Sequence, residues 1–549
     1  MFISLASAAL DYLDTKKIRW IRKNFPWLAR FINRLATNFL ASTTTPRPNA
    51  YSLWRDHLAM PEADKTPIPA RAAADYLTWE GVTNKRYFDL HLQPAPQGYI
   101  DSLPDNEASE QYPFGEVTHL FQRHGEMETD RSSVFFMFFA QWFTDGFFRS
   151  DSLDPNKTTS NHNIDLCQIY GADEISCNAL RSGVDGKLRS RIVNGEELPD
   201  TLGELDAEGK WQVKECYKEL PYIKNFATFE AIYGSTSRNP LSEEQKAKLF
   251  ATGLERSNAI LGHNVIGTLF LREHNSICDM LKQNFSDWDD ARLFHTARII
   301  NTVILMKLVI EDYVNHIAGL DVLRCDPAFV EKQKWYRAPW IAAEFNLLYR
   351  WHGLIPDHFE YQGGAQAFRQ NHGFIEHEGL ANILEAASQQ IAGTISLGGV
   401  PNFMLPAERQ MIEKGRAWGF NTYNKYREHF ELKRLTSFEE LTDDKALAKK
   451  LEKLYVNIDR LELTVGLFAE KSTGKTLTGE LQTTMVAYDA ITQIYTNPLL
   501  AKHNFTEQHF TRAGMERIEQ TNSFQDLVDR HVNRLIKVSV AFPNPDQSN

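Results

Sequence analysis

The sequence predicts a mainly α-helical protein: one large helical domain over residues 49–549, behind a short amphipathic amino-terminal segment and linker, residues 1–48. Three observations predict it. Long stretches repeat apolar residues with helical period, namely RSSVFFMFFAQWFTDGFF, RSNAILGHNVIGTLFLREHNSICDML, ARLFHTARIINTVILMKLVIEDYVNHIAG and DDKALAKKLEKLYVNIDRLEL. Strand-like alternation is scarce, apart from short hairpins near LRSRIVNGEELP. No internal repeat or low-complexity tract divides the chain, and its loops carry the Gly, Pro, Asn and Asp of turns. At 549 residues the length also allows two to four domain-sized units.

Hydrophobic residues make up 42% and charged residues 24%, the profile of a globular chain. A net charge of −11 argues against nucleic acid as a partner, which calls for a basic excess. Five scattered cysteines (Cys167, Cys177, Cys216, Cys278, Cys325) form no CxxC pair. They fit neither a disulfide framework nor a zinc site and favour a reducing compartment. No run of 18 apolar residues predicts a membrane-spanning helix. The opening MFISLASAALDYLD lacks the basic region of a secretory signal. A cytoplasmic location is the expectation.

The amino end is built differently. From Lys16 to Arg34 it holds seven basic residues and no acidic one, interleaved with Ile18, Trp20, Ile21, Phe25, Trp27, Leu28, Phe31 and Ile32. Such a pattern suits a helix lying in a membrane interface, split here by Pro26. A helix docked on the protein's own core has the same pattern, and the residues alone weigh the two evenly.

The chemistry concentrates in EFNLLYRWHGLIPDHF, residues 344–359. The segment before it has no Gly and one Pro, which predicts a helix running through Tyr349 and His352. On that helix the two side chains share a face, about 5–6 Å apart at Cβ. A histidine on an apolar helix is by default a satisfied core residue. A neutral imidazole among aromatics is also a good axial ligand for haem iron. A phenol beside so strong an oxidant is easily oxidised, and its radical removes hydrogen from a carbon that no base could deprotonate. A second wall is offered by FFAQWFTDGFF, residues 138–148, where Gln141 and Asp145 stand four residues apart on one helical face. Their bland alternatives are a backbone-bonded amide and a helix-terminal carboxylate.

These residues sit within a set of ordered blocks: FFAQWFTDGFF, NHNIDLCQIYG, DGKLRSRIVNGEELP, TLFLREHNSICDMLK, IEDYVNHIAG, EFNLLYRWHGLIPD, FNTYNKYREHFELKRLTSFEELT, LYVNIDRLELTVGLFAEK and NPLL. From about residue 40 to 500 the chain resembles the animal-type haem peroxidase superfamily, and within it the cyclooxygenases (prostaglandin-endoperoxide synthases) and their fatty-acid dioxygenase relatives. The resemblance implies a noncovalent haem b with His352 as proximal ligand to the iron and Trp351 beside it. It implies Tyr349 as the radical-forming tyrosine, Tyr313 as its hydrogen-bond partner, Asn346 in support, and Gln141 as the distal glutamine. The basic amino end falls where that family keeps monotopic membrane-binding helices, which favours contact with a membrane surface. The cysteine-rich growth-factor-like module of the animal enzymes is absent, and a bacterial origin is expected.

The departures are as informative. The family's distal histidine falls on Asp145, a weaker base at neutral pH, with a pKa of about 4 against about 6.5 for imidazole, unless burial raises it. The Arg that clamps the substrate carboxylate falls on Thr43 or Thr44, and the clamping Tyr on Leu320; Arg47 is a candidate substitute. The aspirin-acylated serine region aligns with a gap near Ala490. The residue that supplies a covalent haem ester elsewhere in the superfamily falls on Thr144, which has no carboxylate. A calcium site is not supported, since Asp165 with Asn161 and Asn163 offers too few charged oxygens; Asp165 is expected to brace its loop. Cyclising a polyunsaturated chain needs one held pose, and the holding residues are missing. The expected activity is therefore a haem-dependent dioxygenase that adds O2 to an unsaturated C18-type fatty acid to give a hydroperoxide. The alternatives are a peroxidase with Asp145 as acid–base group, a cyclooxygenase forming prostaglandin-type endoperoxides, and a haem- or lipid-binding protein without turnover. The oligomeric state is open, the resemblance allowing a homodimer.

Overall fold

The computed structural model describes residues 15–41, 51–52, 87–151, 154–230, 240–336, 340–369, 371, 373–472 and 474–543. The boundary expected at residues 48–49, and Thr43, Thr44 and Arg47, lie outside these. Nine helices carry the argument: α1 (Thr15–Asn24), α2 (Pro26–Ala41), α3 (Val134–Asp145), α4 (Leu261–Asn284), α5 (Asp290–Ala318), α6 (Ala343–Leu348), α7 (Leu405–Ala417), α8 (Lys445–Tyr455) and α9 (Glu480–Tyr495). Strands among the described residues form five separate antiparallel pairs. One is the hairpin expected from the sequence, Ser190–Val193 with Glu196–Pro199. Its Asn194 and Gly195 both take positive φ, 52° and 81°. That is the backbone a two-residue Asn-Gly hairpin turn requires.

The centre is α3. Ser133 caps it, its hydroxyl accepting from the Phe136 amide at 3.1 Å, a contact worth about 1 kcal/mol. Ten of its twelve residues are buried, and the two that are not, Gln141 and Thr144, face a cavity. A helix apolar over most of its surface is buried in the protein's interior here, and each buried Phe contributes about 1.5–3 kcal/mol. Helix α4 packs directly on α3. At Gly262 a Cβ would lie 2.5 Å from Phe138, so the glycine allows the close approach. Helix α5 packs along α4. It is long and apolar enough to cross a membrane, yet 83% of its apolar window is buried inside the protein, so it serves as a core helix. Residues Val309–Val314 wind it as a π turn. Helix α8 is peripheral, burying Ala448, Leu451 and Tyr455 at helical spacing.

The amino-terminal basic stretch folds as α1 and α2, with Pro26 opening the second helix. The docked reading describes its inner face, while its outer face carries exposed aromatics. Inward, Ile18, Ala36 and Leu40 are buried, Asn33 bonds both main-chain groups of Arg324, and Arg34 pairs with Asp326 at 2.8 Å. Outward, Trp20, Phe25, Trp27, Phe31 and Leu35 are exposed, Trp27 by 70%.

Candidate active site

Tyr349 and His352 do not share a helix. Helix α6 ends at Leu348, Tyr349 (φ −90°, ψ 13°) and Trp351 (φ −87°, ψ 49°) leave helical geometry, and His352 opens a new 3-10 turn to Leu354. The cause is local. The Leu348 carbonyl accepts from the Trp351 indole at 2.9 Å and from the Gln482 amide at 2.6 Å, which turns the chain at that point. Gly353 then passes so near the Thr394 carbonyl that a Cβ would lie 2.3 Å from its oxygen. The result is a stack rather than a helical face: the Tyr349 and Trp351 rings lie 4.4 Å apart at 26°. Tyr349, Trp351 and His352 all line one cavity of about 300 Å³.

His352 Nδ1 meets Oε1 of Glu408 at 2.5 Å, and Glu408, from α7, is wholly buried. A carboxylate on one ring nitrogen fixes the imidazole's orientation and tautomer and leaves Nε2 free to ligate a metal. Sequence reasoning missed Glu408. It lies 56 residues from His352 on a separate helix, with no motif joining the two.

Across the cavity stand Gln141, Thr144 and Asp145 of α3. The Asp145 carboxylate is engaged at both oxygens, by Arg256 Nη1 at 2.7 Å and by His263 Nε2 at 2.7 Å. Burial alone pushes Asp145 up. Arg256, His263 and Arg350 outweigh it and hold the carboxyl well below the usual carboxylate range. Burial therefore does not make Asp145 the stronger base that a distal proton shuttle would need. Arg256 and His263 were also missed, being 111 and 118 residues away with no motif joining them to Asp145. The Thr144 hydroxyl donates back to the Ala140 and Gln141 carbonyls.

Three cations, Arg256, Arg350 and Lys414, line the same cavity against the single carboxylate of Asp145. Burial, then Arg350 and Arg256, pull Lys414 down to about 8, and burial with Arg256 brings Arg350 to about 10. Groups that repel one another in this way call for an anionic ligand. Asn346, fully buried, accepts from Arg350 at 2.6 Å, while its own Nδ2 has no partner among the described residues. Oε2 of Glu408 and Nδ1 of His263 are likewise buried without partners among the described residues. A flat apolar group bearing a metal at its centre and carboxylates at its edge fits the His352 imidazole and the three cations of the lining: haem is such a group.

Tyr349 reaches away from the cavity too. Its hydroxyl interacts with that of Tyr313, though short of a formed hydrogen bond, so the buried Tyr313 hydroxyl lacks a full partner. Burial pushes both phenols up. Tyr313 stacks on Phe136 at 5.0 Å, and Phe136 in turn on Trp351 at 6.3 Å. Phe345 and Phe148 close round Tyr349 at 5.2 and 5.6 Å. Behind it lies a buried polar group: His91 bonds Asp489 at 2.9 Å, and Glu344 accepts from the His91 amide and the Tyr426 hydroxyl. Burial raises Glu344 to about 7. Leu320 is packed against the core and Ala490 is buried on α9. Asp165 braces its loop as expected, accepting from the Asn161 side chain and the Cys167 amide, each at 3.0 Å.

Residues 146–542 match the family model for animal haem peroxidases, a span that begins just past Asp145. Prostaglandin G/H synthase 2 of Cavia porcellus is 33% identical over 496 residues, covering 87% of this chain and 76% of that protein. The fatty acid alpha-dioxygenase of Arabidopsis thaliana shares the fold, with a TM-score of 0.64 at 15% identity over 96% of this chain and 94% of that one. Peroxidase A of Dictyostelium discoideum does so with a TM-score of 0.61 at 14% identity, over 80% and 94%. On these matches the chain belongs to the animal haem peroxidase family.

Proposed function

We propose that the protein is a haem-dependent dioxygenase that converts an unsaturated C18-type fatty acid and O2 to a fatty-acid hydroperoxide. The observation that carries this reading is the stack of Tyr349 on Trp351 beside a carboxylate-fixed His352, which sets an oxidisable phenol next to a metal-ligand imidazole. The names of its relatives point the same way, since prostaglandin G/H synthases match in sequence and fatty acid alpha-dioxygenases in fold.

The haem, a noncovalent b-type group, supplies one-electron oxidising power when bound. His352 would hold the iron, with Glu408 fixing the ring's orientation. Arg256, Arg350 and Lys414 would pair with the group's carboxylates. Gln141 would offer its side-chain amide to a bound peroxide. Once oxidised to the phenoxyl, Tyr349 takes a hydrogen atom from the substrate carbon and becomes a phenol again. O2 adds to the carbon radical, and the peroxyl takes a hydrogen atom back from Tyr349, leaving a hydroperoxide and the phenoxyl. Tyr313 orients the phenol, and the buried aromatic surround keeps water from the radical. Fast peroxide turnover would ask Asp145 to carry a proton, and its pairing with Arg256 and His263 opposes that. With Leu320 where the clamping tyrosine would stand, endoperoxide formation is disfavoured.

In this reading the exposed aromatics of α1 and α2 seat the protein on a membrane surface as a peripheral cytoplasmic enzyme, with a homodimer allowed. Oxygen uptake on adding linoleate to the haem-loaded protein tests the activity. One O2 per fatty acid and a monohydroperoxide product are expected. Tyr349→Phe should abolish uptake while the haem spectrum persists. Brisk peroxide-driven phenol oxidation without any uptake would overturn the reading.

A further inference from the structure

A second cavity, of about 320 Å³, opens between α1, α2 and the loop 322–326. Its size is in the range of sites for small ligands. Ile18, Ile32 and Val322 give it apolar walls, and Arg22, Arg30 and Arg324 give it three cations. The cations are not equivalent. Arg22 and Arg324 both lean on Asp321, at 3.4 and 2.7 Å. Asp326, the carboxylate in the lining, is taken by Arg34. Arg30 forms no ion pair or hydrogen bond among the described residues. Counting its near neighbours, five arginines (19, 22, 30, 34 and 324) face Asp321, Asp326 and Glu311, an excess of positive charge.

The placement of Arg30 says what the excess is for. At about 100° per residue, Trp27, Phe31 and Leu35 make one outward stripe of α2, and Asn33 turns inward to the cavity. Arg30 falls between them, on the rim that joins the exposed aromatic stripe to the cavity. A surface that receives Trp27 and Phe31 among its acyl chains therefore brings its headgroup layer level with Arg30 and the cavity mouth.

We propose that this cavity binds the phosphate of an anionic bilayer phospholipid, held by Arg30 with Arg22 and Arg324. The inference rests on the membrane-surface reading above and adds to it a stereospecific site, where a basic helix alone would give diffuse attraction. A guanidinium fork matches phosphate oxygens in pairs, and an ammonium does not. Diffuse attraction follows charge alone, at about 1 kcal/mol per basic residue, or roughly fivefold.

The test uses the full-length haem-loaded protein and vesicles of phosphatidylcholine, alone or with about 30% phosphatidylglycerol, read by sedimentation at fixed salt. Binding tighter by at least about tenfold to the anionic vesicles is expected, and loss of most of that gain in both Arg30→Gln and Arg30→Lys. Lys23→Gln, an exposed cation outside the cavity, should change binding by no more than about fivefold. Arg30→Lys behaving as wild type, or Arg30→Gln behaving as Lys23→Gln, would reduce the cavity to general charge and overturn the site. Equal binding to both vesicles also overturns it while leaving the membrane reading standing. No sedimentation with either vesicle removes the membrane reading itself. Inorganic phosphate at millimolar level releasing the protein from anionic vesicles, and protecting it from unfolding on its own, would make the site one for free phosphate. Arg30 is exposed, so unfolding midpoints of its variants should match wild type.

Discussion

The two walls of the candidate site are built on opposite logics. On the His352 side one histidine meets one buried carboxylate, Glu408, and the pair leaves a nitrogen aimed into the cavity. On the α3 side the carboxylate of Asp145 also meets a histidine, His263, but adds Arg256 at its other oxygen. The first pair leaves the imidazole available to a metal. In the second, each carboxylate oxygen has a charged or imidazole partner, so the group that faces the cavity is a fixed anion. The same two residue types thus make a ligand on one wall and a clamp on the other. What decides between them is the third partner, the Arg256 guanidinium.

The contrast can be broken most severely at its ends. His352→Ala should lose haem binding altogether, seen as loss of the Soret band after desalting, whereas Gln141→Leu should keep it. Equal retention in both would leave the His352 wall without its special standing. Asp145→Asn comes next: it removes the charge that Arg256 and His263 face and should destabilise the fold by about 1–2 kcal/mol, discounted for the partial exposure of Arg256, read by denaturant unfolding. Peroxide-driven phenol oxidation should fall less than about tenfold in that variant, because a pinned carboxylate is a poor proton carrier. A hundredfold loss would make the α3 wall catalytic and undo the contrast. Glu408→Gln should weaken haem retention about 10–100-fold without abolishing it, as removal of a carboxylate behind a ligating histidine does.

The smallest effect is that of the cation between the walls. Lys414 sits near 8 in the folded apoprotein against 10.5 unfolded. Its ammonium is thus penalised in the fold. That penalty is full below about pH 8 and is relieved as pH rises from 8 toward 10.5. Relative to Lys414→Met, the wild-type apoprotein should therefore gain about 1 kcal/mol over that window, a figure discounted for partial exposure. A flat difference would mean the cavity cations do not repel as the geometry requires.

Much of this was legible in the chain. The mostly apolar α3 and the long α4 and α5 follow from periodicity, and the hairpin near LRSRIVNGEELP from its strand-like alternation. Tyr349, His352 and Gln141 were found by residue type and spacing, and the structure brings all three to one cavity. The helix drawn through Tyr349 and His352 was not there, because the Leu348 carbonyl finds two side-chain donors and the turn at Gly353 follows. Propensity cannot weigh a tertiary acceptor of that kind. Glu408, Arg256, His263 and Lys414 were invisible for a related reason: each acts on a residue 56 or more positions away or through a shared cavity, and no local pattern records such a meeting.

The π turn of α5 bears on how fixed the tyrosine pair is. A π turn holds one residue more than the α turns around it, so the chain beyond it is rotated relative to a straight helix. Tyr313 lies within that turn, and it meets Tyr349 from there. The alignment of the two phenols is thus written as a count of residues in the backbone. Deleting one residue between 309 and 312 would remove the extra residue of the turn and rotate Tyr313 away from Tyr349. Substitutions at neighbouring positions, by contrast, leave the count unchanged and the phenols facing one another.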